Sequence, residues 1–571
     1  MVNETCFAAV CFIPLDPNGS KLFGFSEFLA GLALMVLAWT IGDIRYRFRV
    51  QTAPIPLQGL TFSVVASVGI LTLLTDLWRA QGWLVPKGHI LTPASWQTIL
   101  AGLFLATFLT WAWFAFIRRP TFGKRNAKRY ARTLYRLILK GDPTELAVVA
   151  DELTYSARAL VHYAPDRSGL KLYPQEQNKN KSQVAIPKVV SYANDLLLLV
   201  ADKRFCRVIV ESSPGTALAI FQEMGETKKY GIPVQTFAKN IIREALQNTN
   251  SFLYHETEGY ESGLMGYHKP LSQAMFGNLM MVDTVGTLLD PDLVGNSKWG
   301  PEQWGAYCRL VLISLNDSSN IWRWDHSIAL QNAKSYIESA VSGLYKLNTV
   351  TNSWDRDEAQ SLQIVMRFIG DTIKILDDRG LPKYLRLRVR EQHGHPRESF
   401  YDHIASLIFE VIFHASAVHS PQWECWTIQH NSIWSPLRHH LKGPAGKVIQ
   451  FKLHRLLYNE IIAMNDFPNF KGARILSFCL NVMGLKISTN NFDRENRPLH
   501  KAILAWTKKR YCWLHNSSPA AAEACLVDGI TFDAEGLQLV STSTANGLRR
   551  EPHYVRLMLD PAPADGPGQR E

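Results

Sequence analysis

The sequence predicts a mainly α-helical protein. We expect a three-span transmembrane helical bundle at the N-terminus, then a large cytoplasmic helical body with a small β-hairpin element near the C-terminus. Three observations predict this fold class. The first 117 residues contain three long apolar runs, a strongly basic stretch follows them directly, and apolar residues recur at helical spacing through most of the remaining chain.

The composition limits the functional classes. With 571 residues, 47% of them hydrophobic, the chain is long enough for several domains and too apolar to be largely disordered. The formal net charge is +11, but residues 116–141 alone carry nine Lys or Arg and no acid, which leaves +2 for everything else. A nucleic-acid-binding protein usually spreads its basic residues over a folded face. We therefore do not expect nucleic acid as a partner.

The apolar runs have the length of membrane spans. Residues 57–75 and 99–117 contain no charge, and at 1.5 Å per residue each is roughly 30 Å long, the thickness of a bilayer core. The run at 22–41 contains Glu27, so either this carboxylate reaches outward to the headgroups or the helix begins later. The sequence predicts a transmembrane region over 22–117, with spans at about these three ranges.

Loop charges orient the predicted bundle. Arg45, Arg47 and Arg49 lie between the first two spans, and the basic stretch follows the third. Lys and Arg accumulate on the cytoplasmic side of membrane proteins. We expect a multi-pass protein of the cell membrane, with residues 1–21 as an external N-terminal tail and everything after residue 117 in the cytoplasm.

The cysteines agree with this arrangement. Those in the expected cytoplasmic body are scattered without C-x-x-C spacing, which is typical of buried thiols in a reducing compartment. Cys6 and Cys11 lie in the expected external tail, and the sequence leaves open whether they form a disulfide.

The basic stretch predicts an amphipathic juxtamembrane helix over residues 118–141. Such a helix lies along an anionic membrane surface, with its apolar face in the headgroup boundary. The expected lipid-binding residues are Arg125, Lys128, Arg129, Arg132 and Arg136. The opposite face is apolar and consists of Ala127, Tyr130, Ala131, Leu134 and Ile138. Plain positive-inside signalling would explain Arg118 and Arg119, but not the longer stripe.

The remaining chain predicts helices with capping signals. We expect helical regions over 142–350 and 351–560, the second ending in strands. Pro143 and Pro214 have the position typical of helix starts, and Gly380 the position typical of a helix end.

The C-terminal residues have a different pattern. Alternating apolar and polar residues at 529–541 predict a hairpin, and residues 553–560 a third strand. Residues 561–571 are expected to be a disordered tail.

The first candidate site lies in residues 254–278, where glycines permit an irregular backbone among titratable groups. Segments of this kind either bind a ligand or partner or simply cover a helical core. The candidate ligand-binding residues are His255, Glu256, Glu258, Glu261 and His268.

The second candidate site is a set of metal-ligand residues on one predicted helix. His403, Glu410 and His414 share a helical face, and imidazole and carboxylate groups are ligands for zinc and iron. The interval from 403 to 410 is about 10.5 Å along a helix axis, which opposes convergence on one ion. The alternative is a set of buried histidines that bond to carboxylates and carbonyls.

The sequence contains no nucleophile, phosphate-binding or dinucleotide motif. It therefore assigns no catalytic residue and implies no cofactor. Ser63-x-x-x-Ser67 and Gly102-x-x-x-Ala106 in the second and third spans are typical of close helix packing.

The leading interpretation is an integral membrane protein that anchors a cytoplasmic helical domain for partner or ligand recognition, as a scaffold, sensor or effector. We expect a protein partner or a second copy of the chain. The alternatives are a membrane-bound enzyme with a cytoplasmic active site and an oligomeric channel or transporter subunit.

Overall fold

The computed structural model describes residues 5–7, 10–17, 21–41, 43–86, 92–167, 187–258, 269–290, 299–316, 324–381, 399–487, 494–543 and 552–562. Contacts within the chain group it into two units, Met1–Glu244 and Ala245–Glu571, and each is described by itself. Both consist mainly of α-helices, as the sequence predicts. The expected boundary near residue 350 stays a prediction. Apart from residues 561 and 562, the expected C-terminal tail lies outside the described residues.

The first unit contains a series of helices. They are α1 (Phe25–Ile41), α2 (Ile44–Thr52), α3 (Leu57–Ala80), α4 (Pro93–Ala112), α5 (Ala127–Lys140), α6 (Pro143–Thr154), α7 (Ala157–Tyr163), α8 (Lys188–Leu199), α9 (Lys203–Ser212), α10 (Pro214–Thr227) and α11 (Gln235–Gln247), the last of which crosses the unit boundary. α4 continues as a π-helix over Trp113–Ile117.

A small sheet at the N-terminus was not predicted from the sequence. Its strands are β1 (Thr5–Phe7), β2 (Val10–Pro14) and β3 (Leu84–Pro86), antiparallel in the order β1-β2-β3. Cys6 and Cys11 are cross-strand partners in its register. The sheet joins the N-terminal residues to the segment between α3 and α4.

Two or three helices of this unit are long and apolar enough to cross a membrane. α3 has 24 residues and Pro93–Ile117 has 25, and both reach a mean hydropathy of 1.9. α1 has only 17 residues, and it meets the same criterion only together with α2, at a bend of 106°. Glu27 lies in its first turn and accepts a hydrogen bond from the Gly24 amide (2.8 Å). α1 thus begins three residues later than the apolar run but still contains Glu27, and the outward reach of this carboxylate stays a prediction.

α1, α3 and α4 pack through aromatic rings that lie against glycines. A Cβ on Gly69 would be 2.7 Å from Phe28, and a Cβ on Gly31 would be 2.8 Å from Phe104. The small residues expected at such contacts, by contrast, are all exposed. They are Ser63, Ser67, Gly102 and Ala106. That expectation was wrong within the unit, because the aromatic side chains determine where the helix backbones approach each other.

The second unit is also helical. Its helices are α12 (Phe252–Glu258), α13 (Pro270–Phe276), α14 (Leu279–Val285), α15 (Pro301–Asn316), α16 (Ile328–Ser339), α17 (Asp357–Arg379), α18 (Phe400–Ala415), α19 (Gln422–Trp426), α20 (Ser435–His440), α21 (Pro444–Ala463), α22 (Phe470–Met483), α23 (Arg497–Ser517) and α24 (Pro519–Ala524). Short 3-10 helices cover Ser342–Leu347 and Ser353–Asp355, and a π-helix covers Thr427–Trp434. The largely buried α18 packs against α16, α21 and α22.

The expected C-terminal strands are present. β4 (Ile530–Asp533), β5 (Gln538–Ser543) and β6 (His553–Met558) form an antiparallel sheet in that order. Leu539 of the central strand is fully buried. The hairpin and the third strand are therefore confirmed.

Capping signals predicted several helix ends correctly. Asp142 accepts a hydrogen bond from the Glu145 amide (2.7 Å) at the start of α6, and α10 begins at Pro214. α17 ends at Arg379, and the following Gly380 has a φ of 74°. Glycine adopts this left-handed conformation without the steric penalty of a Cβ.

Candidate functional site

The basic stretch folds as α5, and most of its cations lie on the solvent side. Lys128, Arg132 and Arg136 are exposed, and Arg125 is exposed just before the helix begins. Tyr135 and Leu139 are also exposed, by 55% and 51%. The outer side of α5 therefore combines cations with two apolar side chains, a composition suited to contact with lipid headgroups.

The apolar face of α5 packs against protein, which contradicts the expectation that it enters the headgroup boundary. Ala127, Tyr130, Leu134 and Ile138 are at most 5% exposed. The helix packs against α2, α6 and α8, and Tyr130 Oη donates a hydrogen bond to Ser156 Oγ (3.0 Å). The sequence predicted the amphipathic helix correctly, but not what covers its apolar side.

Arg129, the fifth expected lipid-binding residue, contacts the end of α2 instead. Its Nη2 donates to the carbonyl oxygens of Ala53 (2.9 Å) and Pro54 (2.6 Å). Asn126 Nδ2 donates to the carbonyl oxygen of Thr52 (2.6 Å). Helix ends leave such carbonyls without intrahelical partners. Arg129 therefore joins α5 to α2.

Two of the arginines interpreted as topological charge pair with α6. Arg49 is 4% exposed. Its Nε and Nη2 donate to Oε2 and Oε1 of Glu152 (2.9 and 2.5 Å), and its Nη1 donates to the Ala115 carbonyl (3.2 Å). Arg45 Nη2 donates to Asp151 Oδ2 (3.0 Å). These pairs connect the segment between the apolar helices to α6.

The structure separates the residues of the first candidate ligand site. Glu261 and His268 lie outside the described residues. Glu256 is fully buried and accepts hydrogen bonds from the amides of Leu271 (3.1 Å) and Ser272 (2.6 Å). This carboxylate therefore caps the N-terminal end of α13, which is a structural role.

The other two members of that site lie on α12. His255 and Glu258 are exposed, and Glu258 Oε1 is 3.8 Å from Arg309 Nη2. Tyr254 of α12 lies near this pair and was not predicted from the sequence. Its Oη is buried without a hydrogen-bond partner among the described residues. Burial and the nearby Glu258 raise the pKa of Tyr254 to about 12, and burial lowers the pKa of Arg309. Neither Tyr254 nor Arg309 belongs to a sequence motif, so only the fold shows that both lie near Glu258.

Two members of the candidate metal site come together, with Glu338 as the third group instead of His403. One ligand atom from each of Glu338, Glu410 and His414 lies within 4.8 Å of the other two. Glu338 comes from α16, whereas Glu410 and His414 lie one turn apart on α18. His403 lies too far along the same helix to join them. Glu338 was not predicted from the sequence because it belongs to a different helix.

The donor atoms suit a metal ion, but two lysines oppose it. Burial lowers the pKa of His414, so its imidazole is neutral at pH 7 and able to act as a ligand. Lys471 Nζ is 3.0 Å from Glu410 Oε1, and Lys334 Nζ is 3.6 Å from Glu338 Oε2. These contacts already neutralise both carboxylates, so a metal ion would have to displace them.

A groove of about 950 Å³ lies between α21 and α23. It is lined by Lys447, Arg455 and the half-exposed ring of Phe451, and also by His454. His454 Nε2 is 3.1 Å from Asn496 Oδ1, and burial lowers the pKa of this histidine to about 4. Glu495 also lines the groove, and its Oε1 is 3.9 Å from Lys447 Nζ. The groove therefore combines Arg455, a Lys447–Glu495 ion pair, an aromatic face and a neutral imidazole, groups that suit a polar or aromatic ligand or a segment of a partner.

Comparison of the chain with family models, with curated proteins and with solved structures gives no match.

Proposed function

We propose that this chain is an integral protein of the cell membrane, anchored by α1, α3 and α4, whose second unit recognises a partner or ligand in the cytoplasm. The main support for this proposal is the exposed apolar surface of α3 and α4. Only 33% and 28% of their most apolar windows are buried inside the protein. Phe62, Ile70 and Leu105 are 70%, 60% and 55% exposed. Water disfavours contiguous apolar patches of this kind, whereas a bilayer accommodates them and a helix satisfies its own backbone there.

The charges support one orientation. α2 and its arginines follow α1 and precede α3, and Arg118 and Arg119 follow α4, so all lie at the same ends of the apolar helices. By the positive-inside rule this end faces the cytoplasm and the N-terminus faces outward.

Introduced cysteines test the orientation. The described free cysteines are buried, so native thiols are poor reporters. Pro17 and Asn516 are exposed. In a Cys6→Ser/Cys11→Ser background, a membrane-impermeant maleimide applied to intact cells should label Pro17→Cys but not Asn516→Cys. Permeabilised cells provide the positive control for Asn516→Cys. Labelling of Asn516→Cys in intact cells would refute the orientation, and extraction of the protein from membranes by alkaline carbonate would refute the anchor.

We further propose that the outer side of α5 contacts anionic lipid. Four of the expected residues, Arg125, Lys128, Arg132 and Arg136, are exposed, and each cation near an anionic surface contributes about 1 kcal/mol. Tyr135 and Leu139 add apolar contact on the same side of the helix. Arg129 is left out of this set, because it joins α5 to α2.

Lipid proximity in the full chain tests this contact. A fragment that begins after α4 is unsuitable, because it lacks Arg49 and leaves Glu152 buried without its partner. We would attach a fluorophore at Leu139→Cys and measure its quenching by lipids with nitroxide headgroups in nanodiscs. Quenching should be stronger with phosphatidylglycerol than with phosphatidylcholine. It should fall in 1 M salt, since the Debye length shrinks from about 10 Å at 0.1 M to about 3 Å.

A control variant with the same loss of charge distinguishes an effect of these four cations from a general effect of lower net charge. Replacement of Arg125, Lys128, Arg132 and Arg136 by Gln should remove the preference for anionic lipid. Replacement of four exposed lysines elsewhere should preserve it; they are Lys203, Lys442, Lys486 and Lys509. Equal quenching in the two quadruple variants would contradict the proposal.

The groove between α21 and α23 is our candidate for the recognition surface. A photoreactive amino acid at Phe451 should give discrete adducts in native membranes. The same group at Phe467, which is 74% exposed and outside the groove lining, is the control. The same adducts at both positions would argue against specific recognition by the groove.

A further inference from the structure

A cavity of about 370 Å³ lies among α1, α2, α3 and α4 in the first unit. It is lined by Trp39 of α1, by Arg47 and Gln51 of α2, and by Gln58 and Phe62 of α3. These residues lie near the C-terminal end of α1 and the N-terminal end of α3, where the apolar helices meet the basic segment. The volume is at the lower end of the range for small-molecule sites.

The cavity has an uncompensated positive charge. Of the three arginines on α2, Arg45 pairs with Asp151 and Arg49 pairs with Glu152. Arg47 is exposed, and its side chain makes no ion pair or hydrogen bond among the described residues. A guanidinium next to an apolar surface attracts a carboxylate or phosphate group, with which it forms charge-assisted hydrogen bonds.

The cavity lining also contains neutral hydrogen-bond donors beside the Arg47 guanidinium. The side-chain amides of Gln51 and Gln58 provide these donors. A ligand group with several oxygen acceptors would satisfy these donors and neutralise Arg47.

The walls indicate that the ligand is amphiphilic. Trp39 and Trp111 both line the cavity and lie 6.4 Å apart between ring centroids. Phe62 is 70% exposed and continues onto the apolar outer side of α3. On α1, Leu37 is 54% exposed, next to Ala38 of the lining. A polar group in the cavity thus has apolar helix surface directly beside it, whereas a free anion would use only the polar part.

We propose that this cavity binds the headgroup of an anionic glycerophospholipid, whose phosphate contacts Arg47 and whose acyl chains lie along Phe62 and the exposed side of α1. The lipid is a single bound molecule, distinct from the lipid surface that α5 contacts. This inference rests on the proposed membrane anchor, because the acyl chains require α1 and α3 to be in a bilayer.

Native mass spectrometry of the detergent-purified full chain tests the proposal. After delipidation, the protein is titrated with phosphatidylglycerol or with phosphatidylcholine of the same acyl chains. We expect one tightly bound phosphatidylglycerol, at least about tenfold stronger than phosphatidylcholine. Both lipids offer a phosphate to Arg47, but the choline cation of phosphatidylcholine offsets that phosphate charge and is repelled by the guanidinium. Arg47→Gln should weaken this binding about tenfold or more, and Arg47→Lys should retain part of it. Equal binding of the two lipids would overturn the headgroup assignment.

Arg118→Gln is the matched control. Arg118 is exposed at the same end of the apolar helices, its guanidinium lies over the Phe114 ring, and it does not line the cavity. Its variant should bind phosphatidylglycerol as the unmodified chain does. Equal losses in Arg47→Gln and Arg118→Gln would overturn the site. Gln58→Leu removes a donor without changing charge, and should weaken binding while melting at the same temperature as the unmodified chain.

Two further experiments show whether the phosphate belongs to a lipid, and distinguish failure of the cavity proposal from failure of the proposed membrane anchor. Inorganic phosphate at millimolar concentration should not displace the lipid; displacement would show a free-anion site instead. If the protein is extracted by alkaline carbonate, the membrane anchor itself fails. If it stays in the membrane but binds no phosphatidylglycerol molecule selectively, only the cavity inference fails.

Discussion

Removal of Arg49 should destabilise the protein much more than removal of its neighbour Arg45. The side chains of Arg49 and Glu152 are 5% and 3% exposed. In Arg49→Met, the Glu152 carboxylate stays buried and its nearest remaining cation is Arg45, at 3.7 Å. The Ala115 carbonyl also loses its bond to Arg49. Loss of one partner of a buried ion pair costs about 3–5 kcal/mol where the other charge is left uncompensated. Since Arg45 compensates part of the Glu152 charge, we expect a cost of about 3 kcal/mol.

Two companion variants distinguish this cause from a general effect of losing positive charge. Arg45 is 37% exposed, so Arg45→Met should cost about 0–1 kcal/mol, as exposed pairs do. In Arg49→Met/Glu152→Leu both charges are gone, and replacement of a buried pair by apolar residues is often neutral or stabilising. The double variant should therefore recover most of the stability that Arg49→Met loses.

The free energy of unfolding can be measured in mixed micelles by titration with a denaturing detergent, followed by tryptophan fluorescence. Together with Glu152→Leu, the variants complete a double-mutant cycle, whose coupling energy isolates the Arg49–Glu152 interaction. Equal costs for Arg49→Met and Arg45→Met would refute the reasoning. A double variant that is destabilised by the sum of its single changes would refute it as well.

Three further predictions concern packing, protonation and metal content. Gly69→Ala should lower the free energy of unfolding by about 1–3 kcal/mol, because its Cβ would be 2.7 Å from the Phe28 ring. A Cβ on Gly102 has open space, so Gly102→Ala should be neutral or slightly stabilising. Equal melting temperatures of the two variants would contradict this prediction. Because burial lowers the pKa of His454 from 6.5 to about 4, only the unfolded chain gains this proton between these values. The free energy of unfolding should therefore fall by at most about 3 kcal/mol as the pH drops from 6.5 to about 4. His454→Gln should reduce this loss, whereas His439→Gln, at an exposed position, should not. His414→Ala should change the free energy of unfolding more than the metal content, since lysines already neutralise the neighbouring carboxylates; stoichiometric zinc or iron that disappears in this variant would show that the site is a metal site.

Patterns that are local in the chain were predicted well. The start of α6 at Pro143, the end of α17 before Gly380 and the hairpin of β4 and β5 follow from capping, backbone conformation and alternation over a few residues. The amphipathic α5 also follows from spacing alone. These signals are reliable because the interacting groups lie within one or two turns of each other.

The candidate sites were predicted less well, because their members come from distant parts of the chain. Glu410 and His414 lie one turn apart and were recognised, but Glu338 lies on another helix. Glu256 has the appearance of a ligand in the sequence and is a buried cap in the fold. Arg49 was interpreted as a topological charge, and its buried partner is 103 residues away. Residue type and spacing do not say which long-range partner a side chain has.

The sequence by itself determined that the protein is mainly helical and that a basic amphipathic helix follows the apolar N-terminal segments. It predicted three apolar spans, and the structure contains two or three helices that are long and apolar enough to cross a membrane. Only the tertiary structure decided that the apolar face of this helix packs on protein and that Arg45 and Arg49 pair with α6. It also showed that Arg47 lies beside a cavity without an ion-pair partner among the described residues. The physical reason is that secondary structure and hydropathy are set by neighbours within a few residues. What packs against a helix face, and which partner a charged side chain has, depend on which surfaces the folded chain brings together.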